Sequence, residues 1–498
     1  QIIFSKAYGL ASLEYLVPNT MGTIYNTASV SKQFSAMGIV RLEEQGQLSV
    51  DDDIRKHVPE LPDFGETITI RHMLHHTSGL RSLHALLGLA GWRGDDTRTN
   101  EDLHRLLLRQ TDLNFKPGDE YLYCNTGYML MATIIENVTG EAFTDWMRAN
   151  VFLPIGMVDT YVEDKYNRVV ANNATSYDLD GNQFIREVEY WGYVGSGNMH
   201  STTADLLRWL QGFHTPPAGW EKAFERMQTL DPFNDGTPNN YAFGVSISNH
   251  LGRKRVGHGG SIGGFRSNIG TYPDEKLNIV VLTNFAQGNP GGKLSAIAEI
   301  LMEDLSEEVD NEKYKTKKLS TEELEPYEGQ FWNDRSKLAR KLYVRNDTLR
   351  YARSQFNESP LVPIGDDAFR MAETPSKVVL RFDLSANPRT ITFLEGEASP
   401  VLMQELPATE ESEAELESYV GTYYGPELGV DYSIHQVDGK LKAYHTRHGW
   451  IPLKREAKDV LIGSYPVNVL QIRRDDSGDI QGLMVTNGRV RNMWFERR

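Results

Sequence analysis

The sequence predicts an α+β chain in which one domain of mixed helices and sheet precedes two small antiparallel β-barrels. Three observations carry this. Helical and strand-like segments alternate from Gln1 to about Ser306, as in sheet-plus-helix architectures. From Glu307 to Glu323 the composition turns charged, opening Glu-Glu-Val-Asp-Asn-Glu-Lys-Tyr-Lys-Thr-Lys-Lys, which reads as a linker. Beyond it the chain repeats: Leu324-Glu325-Pro326-Tyr327-Glu328-Gly329-Gln330-Phe331 is echoed by Leu416-Glu417-Ser418-Tyr419-Val420-Gly421-Thr422-Tyr423, a spacing of 92 residues from Tyr327 to Tyr419. The expected units are residues 1–306, a linker over 307–323, and barrels over 324–410 and 411–498.

Taken in order, Gln1 to Gly9 reads as a first strand. Val30, Phe34, Met37 and Val40 follow at three- and four-residue steps, the period of a helix with one buried face, and Gly46 is its stop signal. Asp51-Asp52-Asp53 reads as a loop and helix cap rather than a metal site. His75 and His76 are adjacent, so on a helix their side chains diverge, and no further metal-ligand set is evident. Phe115-Lys116-Pro117-Gly118 is a turn, and Tyr121 to Gly127 forms a loop into a helix carrying Tyr128, Met131, Ile135 and Val138, stopped at Gly140. Trp191 to Asn198 is glycine-rich enough to cradle an anion before a helix with Asp205 in its first turn. Tyr241 to Ala286 reads as strands. Within it, His258-Gly259-Gly260-Ser261-Ile262-Gly263-Gly264 holds more glycine than a strand needs merely to pack, and Leu294 to Leu305 closes the domain as a helix. In the repeats, Leu361-Val362-Pro363-Ile364 aligns with Trp450-Ile451-Pro452-Leu453, and Asn487-Gly488 turns the last hairpin.

Composition bounds the function. A chain of 498 residues, 40% hydrophobic and 24% charged, is an ordinary soluble globular protein of several domains. Its formal net charge of −16 repels phosphate backbones, which argues against nucleic-acid partners. No apolar run is long enough for a membrane span. The single cysteine, Cys124, excludes an intrachain disulfide, and the opening residues do not resemble a signal peptide. A targeting segment is thus expected to be absent or already removed, with cytoplasmic and periplasmic or secreted locations equally open.

The chemistry begins at Ser29-Val30-Ser31-Lys32. On a helix, residues three apart lie one above the other. A lysine held partly out of water near the positive end of the dipole has its charged form disfavoured, and a free amine beside a hydroxyl can take its proton. That is an activated nucleophile.

Ser29-x-x-Lys32, Tyr123-x-Asn125 and His258-x-Gly260 occur in that order. With His76-Thr77-Ser78-Gly79-Leu80, Pro117-Gly118 and Ile134 to Gly140, they make residues 1 to 306 resemble the penicillin-recognising serine hydrolases. This family comprises serine β-lactamases, D-alanyl-D-alanine peptidases, D-aminopeptidases and esterases of the same fold. The resemblance implies an antiparallel sheet flanked by helices, no cofactor and no metal. It also implies that Ser29 forms an acyl-enzyme, that Lys32 and Tyr123 share the general-base work, and that Asn125 donates to the acyl side chain of the substrate. The oxyanion hole would be the N–H groups of Ser29 and Ser261. Where many relatives carry lysine and a hydroxyl residue, this chain has His258 and Gly259. Histidine is mostly neutral at pH 7, which weakens carboxylate recognition unless Arg266 supplies it. Two eight-stranded barrels after such a domain resemble the D-aminopeptidase architecture. The implied substrates are D-aminoacyl amides, small peptides or esters. Alternatives are a carboxylesterase of this fold, or a DD-peptidase, β-lactamase or penicillin-binding sensor. The implied partner is a small molecule or short peptide, with homo-oligomerisation left open. Relatives begin with a helix and strand ahead of the Gln1–Gly9 stretch, which this chain lacks, so either the chain is truncated or the missing strand is supplied otherwise.

Overall fold

The computed structural model describes residues 2–302, 318–333, 337–354, 357–372, 378–395, 400–406 and 413–498. The chain forms two compact units, residues 1–83 with 94–309 and residues 84–93 with 310–498.

In the first unit, a single 3₁₀ turn, Ala28–Val30, leads into helix α1 (Ser31–Glu44). The predicted one-sided helix is instead buried continuously from Ser31 to Val40. It packs on helix α2 (Asn125–Thr139), on the helix Glu221–Arg226 and on the turn Arg148–Phe152, leaving no solvent face along its first ten residues. Gly38 permits the approach of α2: a Cβ there would stand 2.8 Å from Ile135 Cδ1. Phe34 packs at 4.3 Å against Trp209. Helix α2 stops where predicted, at Gly140, whose φ of 74° suits glycine.

The sheet is an antiparallel meander of β1 (Ser246–His250), β2 (Arg253–Ile262), β3 (Phe265–Tyr272) and β4 (Leu277–Thr283), ordered β4-β3-β2-β1. Helix α3 (Pro290–Leu301) covers it through Leu294 and Ala298, which pack with Tyr272 and Ile279. It begins four residues before the predicted start because Asn289 caps it, accepting from Gly292 N–H, and Pro290 suits a first-turn position. The predicted end at Leu305 and the linker residues 307–317 lie outside the described residues. Ser320 caps a short helix, Thr321–Leu324, that takes up the rest of the predicted linker.

One element differs outright. Residues 2–8 are irregular, and the first strand is Leu10–Ser12, paired with Val17–Pro18. Strand propensity without a neighbouring strand to complete the ladder does not hold an extended segment in a sheet.

The second unit holds the repeats. The first copy is a closed eight-stranded antiparallel barrel, and the second is a nearly closed sheet of nine strand segments. The extra segment arises because one strand is interrupted at Leu453, giving Gly449–Pro452 and Lys454–Ala457 where the first copy has the single strand Asn357–Gly365. This sets the register: Leu361 corresponds to Leu453, three residues from the alignment read in the sequence. Buried residues recur at the 92-residue spacing, with Leu342 and Ile434, Leu349 and Leu441, Phe369 and Leu461, and Ile391 and Leu483 all interior. Packed interiors of this kind leave the barrels as solid cores rather than open cups.

The same unit includes a ten-residue excursion of the chain, 84–93. Its helix, Leu83–Leu89, is held by Tyr432 Oη donating to Leu89 O at 3.0 Å and Asn487 Nδ2 donating to Ala85 O at 3.1 Å. Among the described residues no helix is long and apolar enough to cross a membrane.

Candidate active site

The turn before α1 is held in an uncommon shape. Ala28 has φ of 51°, a region costly for a residue with a Cβ. Its N–H donates to Asn26 Oδ1 (2.9 Å), its carbonyl accepts from Ser31 Oγ (2.5 Å), and Ser267 Oγ on β3 donates to Thr27 O (2.7 Å). This bonding fixes the next residue, the half-buried Ser29, at the head of the helix.

Lys32 is fully buried, and its Nζ donates to Ser29 Oγ at 3.2 Å and to Ser196 O at 2.7 Å. The amine also lies 4.7 Å from the centre of the Tyr123 ring. The structure thus brings Ser29, Lys32 and Tyr123 together. The glycine-rich Trp191–Asn198 segment, read as an anion cradle, presents carbonyls here instead: Gly195 O accepts from Ser35 and Ser196 O from Lys32. Gly195 is required for this, since a Cβ there would meet Tyr128 O at 2.2 Å.

Asn125 opens α2 rather than capping it, and its N–H donates to Ser82 Oγ at 3.1 Å. Its side-chain Oδ1 is buried and meets no donor among the described residues. Strand β2 runs against the serine turn. Gly260 lies so close that a Cβ would stand 2.2 Å from Thr27 O and 3.0 Å from Ala28 Cβ, which sets the next residue, the exposed Ser261, beside Ser29. Arg266, opposite Ser261 in the β2–β3 register, spends its Nη1 on the carbonyls of Gly263 and Phe265.

His258 has a defined tautomer. Its Nδ1 faces Gly259 O at 2.5 Å, and a carbonyl only accepts, so Nδ1 carries the proton and Nε2 accepts from Tyr241 Oη at 2.9 Å. Burial, reinforced by the charge of Lys32, pushes its pKa down to about 4. The imidazole is therefore neutral at pH 7. A histidine that must stay neutral to fold stabilises the protein fully above its unfolded pKa of about 6.5, and this contribution is lost as pH falls toward 4. Relative to His258→Asn, wild type should lose on the order of 2 to 3 kcal/mol between these limits. Paired urea unfolding curves at pH 7.5 and 4.5 check this; parallel stability losses in the two proteins would refute it.

Three further residues support the site. Tyr241 is buried and fixes His258, and His75 Nδ1 in turn donates to Tyr241 O at 2.7 Å. His76, at φ of 58°, accepts from Cys124 N–H at 3.0 Å and stacks on Tyr123 at 4.3 Å and on Tyr241 at 4.5 Å. It thereby orients the segment between Tyr123 and Asn125. The His76 to Leu80 stretch was a visible signal for this role; Tyr241, the Ser196 carbonyl and the Ser82 hydroxyl had none. Among the described residues no group of three His, Cys, Asp or Glu side chains is arranged to hold a metal.

A serine–lysine–tyrosine cluster at the head of a buried helix, walled by an inner strand of an antiparallel meander, defines the β-lactamase type of fold. The chain belongs to the β-lactamase family, whose model matches residues 1–301. It is 30% identical over 305 residues to a penicillin-binding protein of Bacillus subtilis (strain 168), covering 57% of this chain and 65% of that protein. It is also 30% identical over 304 residues to a D-aminopeptidase of Cereibacter sphaeroides (strain ATCC 17029 / ATH 2.4.9), covering 60% and 58%. An octameric penicillin-binding protein homologue from Pyrococcus abyssi is similar in structure, with a TM-score of 0.56 at 25% identity over 81% of this chain and 93% of that one. The chain spans less than two thirds of the length of these two curated relatives.

Proposed function

We propose that the protein is a serine acyl hydrolase that works through an acyl-enzyme on Ser29, taking D-aminoacyl amides, small peptides or esters. The observation that carries this is the fully buried Lys32 amine 3.2 Å from Ser29 Oγ, held on its far side by the Ser196 carbonyl. Lys32, with Tyr123 against it, takes the serine proton as Oγ attacks the substrate carbonyl. The N–H groups of Ser29 and Ser261 then receive the developing oxyanion. Collapse expels the amine or alcohol with a returned proton, and water releases the acid by the reverse sequence. Asn125 and the exposed edge of Ser261 hold the acyl portion.

The preference for aminoacyl over carboxylate-bearing substrates rests on His258. A neutral imidazole committed to Tyr241 and Gly259 offers no fixed cation for a terminal carboxylate, and Arg266 Nη1 is occupied by its own turn. The D-aminopeptidase of C. sphaeroides at 30% identity supports the same choice. The neutral His258 also favours a second reading, a carboxylesterase. Mass spectrometry after brief exposure to D-alanine p-nitroanilide should show one acyl adduct on Ser29, with turnover beyond one equivalent. A faster rate on p-nitrophenyl butyrate than on the D-alanyl compound would select the esterase, and acylation by penicillin without turnover would select the sensor.

A further inference from the structure

Beyond the catalytic cluster, one half-buried carboxyl forms no ion pair among the described residues. Glu189 lies on the segment leading from the hairpin Ser176–Asp180/Gln183–Glu187 into the Trp191–Asn198 loop. Its Oε1 accepts from Ser176 Oγ at 2.8 Å and packs on Gly263, where a Cβ would stand only 2.1 Å away. Its Oε2 has no protein partner, and no lysine or arginine lies within ion-pair distance, among the described residues. The nearest charges are Arg186, Arg266 and Glu187, and Tyr193 stands beyond. Ser176 Oγ also receives Gly264 N–H at 3.1 Å, so the carboxyl is clamped to the tip of the β2–β3 hairpin rather than left to swing.

Its place is informative. Gly263 is two residues past Ser261, so their Cα atoms are at most about 7.6 Å apart. Glu189 thus stands on the strand's continuation past the proposed oxyanion donor, away from His258 and Gly259. For a substrate lying antiparallel to β2 with its carbonyl at Ser29 and Ser261, the acyl residue extends toward that end. A clamped carboxyl oxygen outside any ion pair fits an ammonium group, and the net charge of −16 favours the arrival of a cation.

We propose that Glu189 binds the ammonium group of the substrate's acyl residue and so selects aminoacyl over des-amino substrates. This rests on the acyl-hydrolase reading of Ser29 and deepens it. Burial first, then the Glu187 charge, raises the pKa of Glu189 to about 7 against the opposing Ser176, Arg186 and Arg266. Recognition then strengthens as pH rises from 6 toward 8, where the carboxylate forms, and falls again once the α-amino group loses its proton near 8.

The test compares D-alanine p-nitroanilide with propionic acid p-nitroanilide, which lacks only the amine, on wild type, Glu189→Gln and Glu189→Asp. A charge-assisted hydrogen bond predicts a ~10- to 100-fold loss of the aminoacyl preference in Glu189→Gln. That loss should lie in KM, with propionyl hydrolysis retained, partial rescue in Glu189→Asp, and no fall of KM with rising pH in the glutamine variant. If wild type prefers the D-alanyl compound and Glu189→Gln keeps that preference within twofold, the assignment of Glu189 is overturned while the acyl-hydrolase reading stands. If wild type prefers the propionyl compound, the aminoacyl preference and the assignment of Glu189 fall together while acyl transfer through Ser29 stands. Loss of propionyl hydrolysis in both variants would show that the carboxyl only braces the hairpin, overturning the assignment.

Discussion

Ser29→Ala is expected to lower kcat by at least about 10⁴-fold, and Lys32→Met to slow acylation by a comparable factor. The first removes the hydroxyl that carries the acyl bond in the proposed reaction. The second removes the proposed base, and it does more than delete a charge, because the Lys32 amine is also the donor to Ser196 O in a fully buried setting. An unpaired buried carbonyl costs about 1–3 kcal/mol, so some loss of stability should accompany the loss of rate. Two residues acting as one device are not additive, and the double variant should be no slower than Ser29→Ala alone. Stopped-flow acylation and steady-state assays on the three variants decide it. A Lys32→Met acylation rate within tenfold of wild type would place the base elsewhere.

Gly260→Ala should be the most damaging substitution outside the reacting groups. The added methyl would stand 2.2 Å from Thr27 O, 2.4 Å from Ser267 Oγ and 3.0 Å from Ala28 Cβ. Two of these are the atoms that hold the turn: Ser267 Oγ donates to Thr27 O, and Ala28 is already in a strained conformation. Neither backbone can recede without moving Ser29. The expected cost is about 1–3 kcal/mol or more in stability, with a rate loss of about 10²-fold from displacement of the nucleophile. Gly259→Ala is the control, because its nearest neighbour is the side-chain end of Asn268 at 3.3 Å rather than backbone. Thermal unfolding and kcat of the two variants separate the cases; equal behaviour would mean that β2 does not brace the serine turn.

Much of the molecule was legible in the chain because it rests on local rules. The 92-residue repeat survives in the barrel cores because strand alternation forces inward positions to be apolar in both copies, as at Ile391 and Leu483. Gly140 ends its helix by a conformation that glycine alone adopts cheaply, and that requirement shows in any sequence. The spacing of Ser29 and Lys32 puts hydroxyl and amine within reach because helical geometry does so wherever it occurs.

The tertiary structure decided what depends on the company a residue keeps. Residues 2–8 have strand-like composition, yet a strand exists only where a neighbour completes its hydrogen bonds. The helix α1 pattern implied one apolar face, and burial on every side became visible only with α2 and Trp209 in place. The partners that hold the site escaped notice for a related reason. Ser196 acts through its carbonyl, which every residue possesses, and Ser82 reaches Asn125 across 43 residues of chain. Tyr241 is one of 23 tyrosines until its hydroxyl is seen on His258 Nε2. The sequence alone determined which chemical groups the protein has and the local shapes that carry them. Which of those groups meet, and whether a carboxyl such as Glu189 ends in an ion pair or outside one, was settled by packing, because burial and charge pairing arise between segments far apart in the chain.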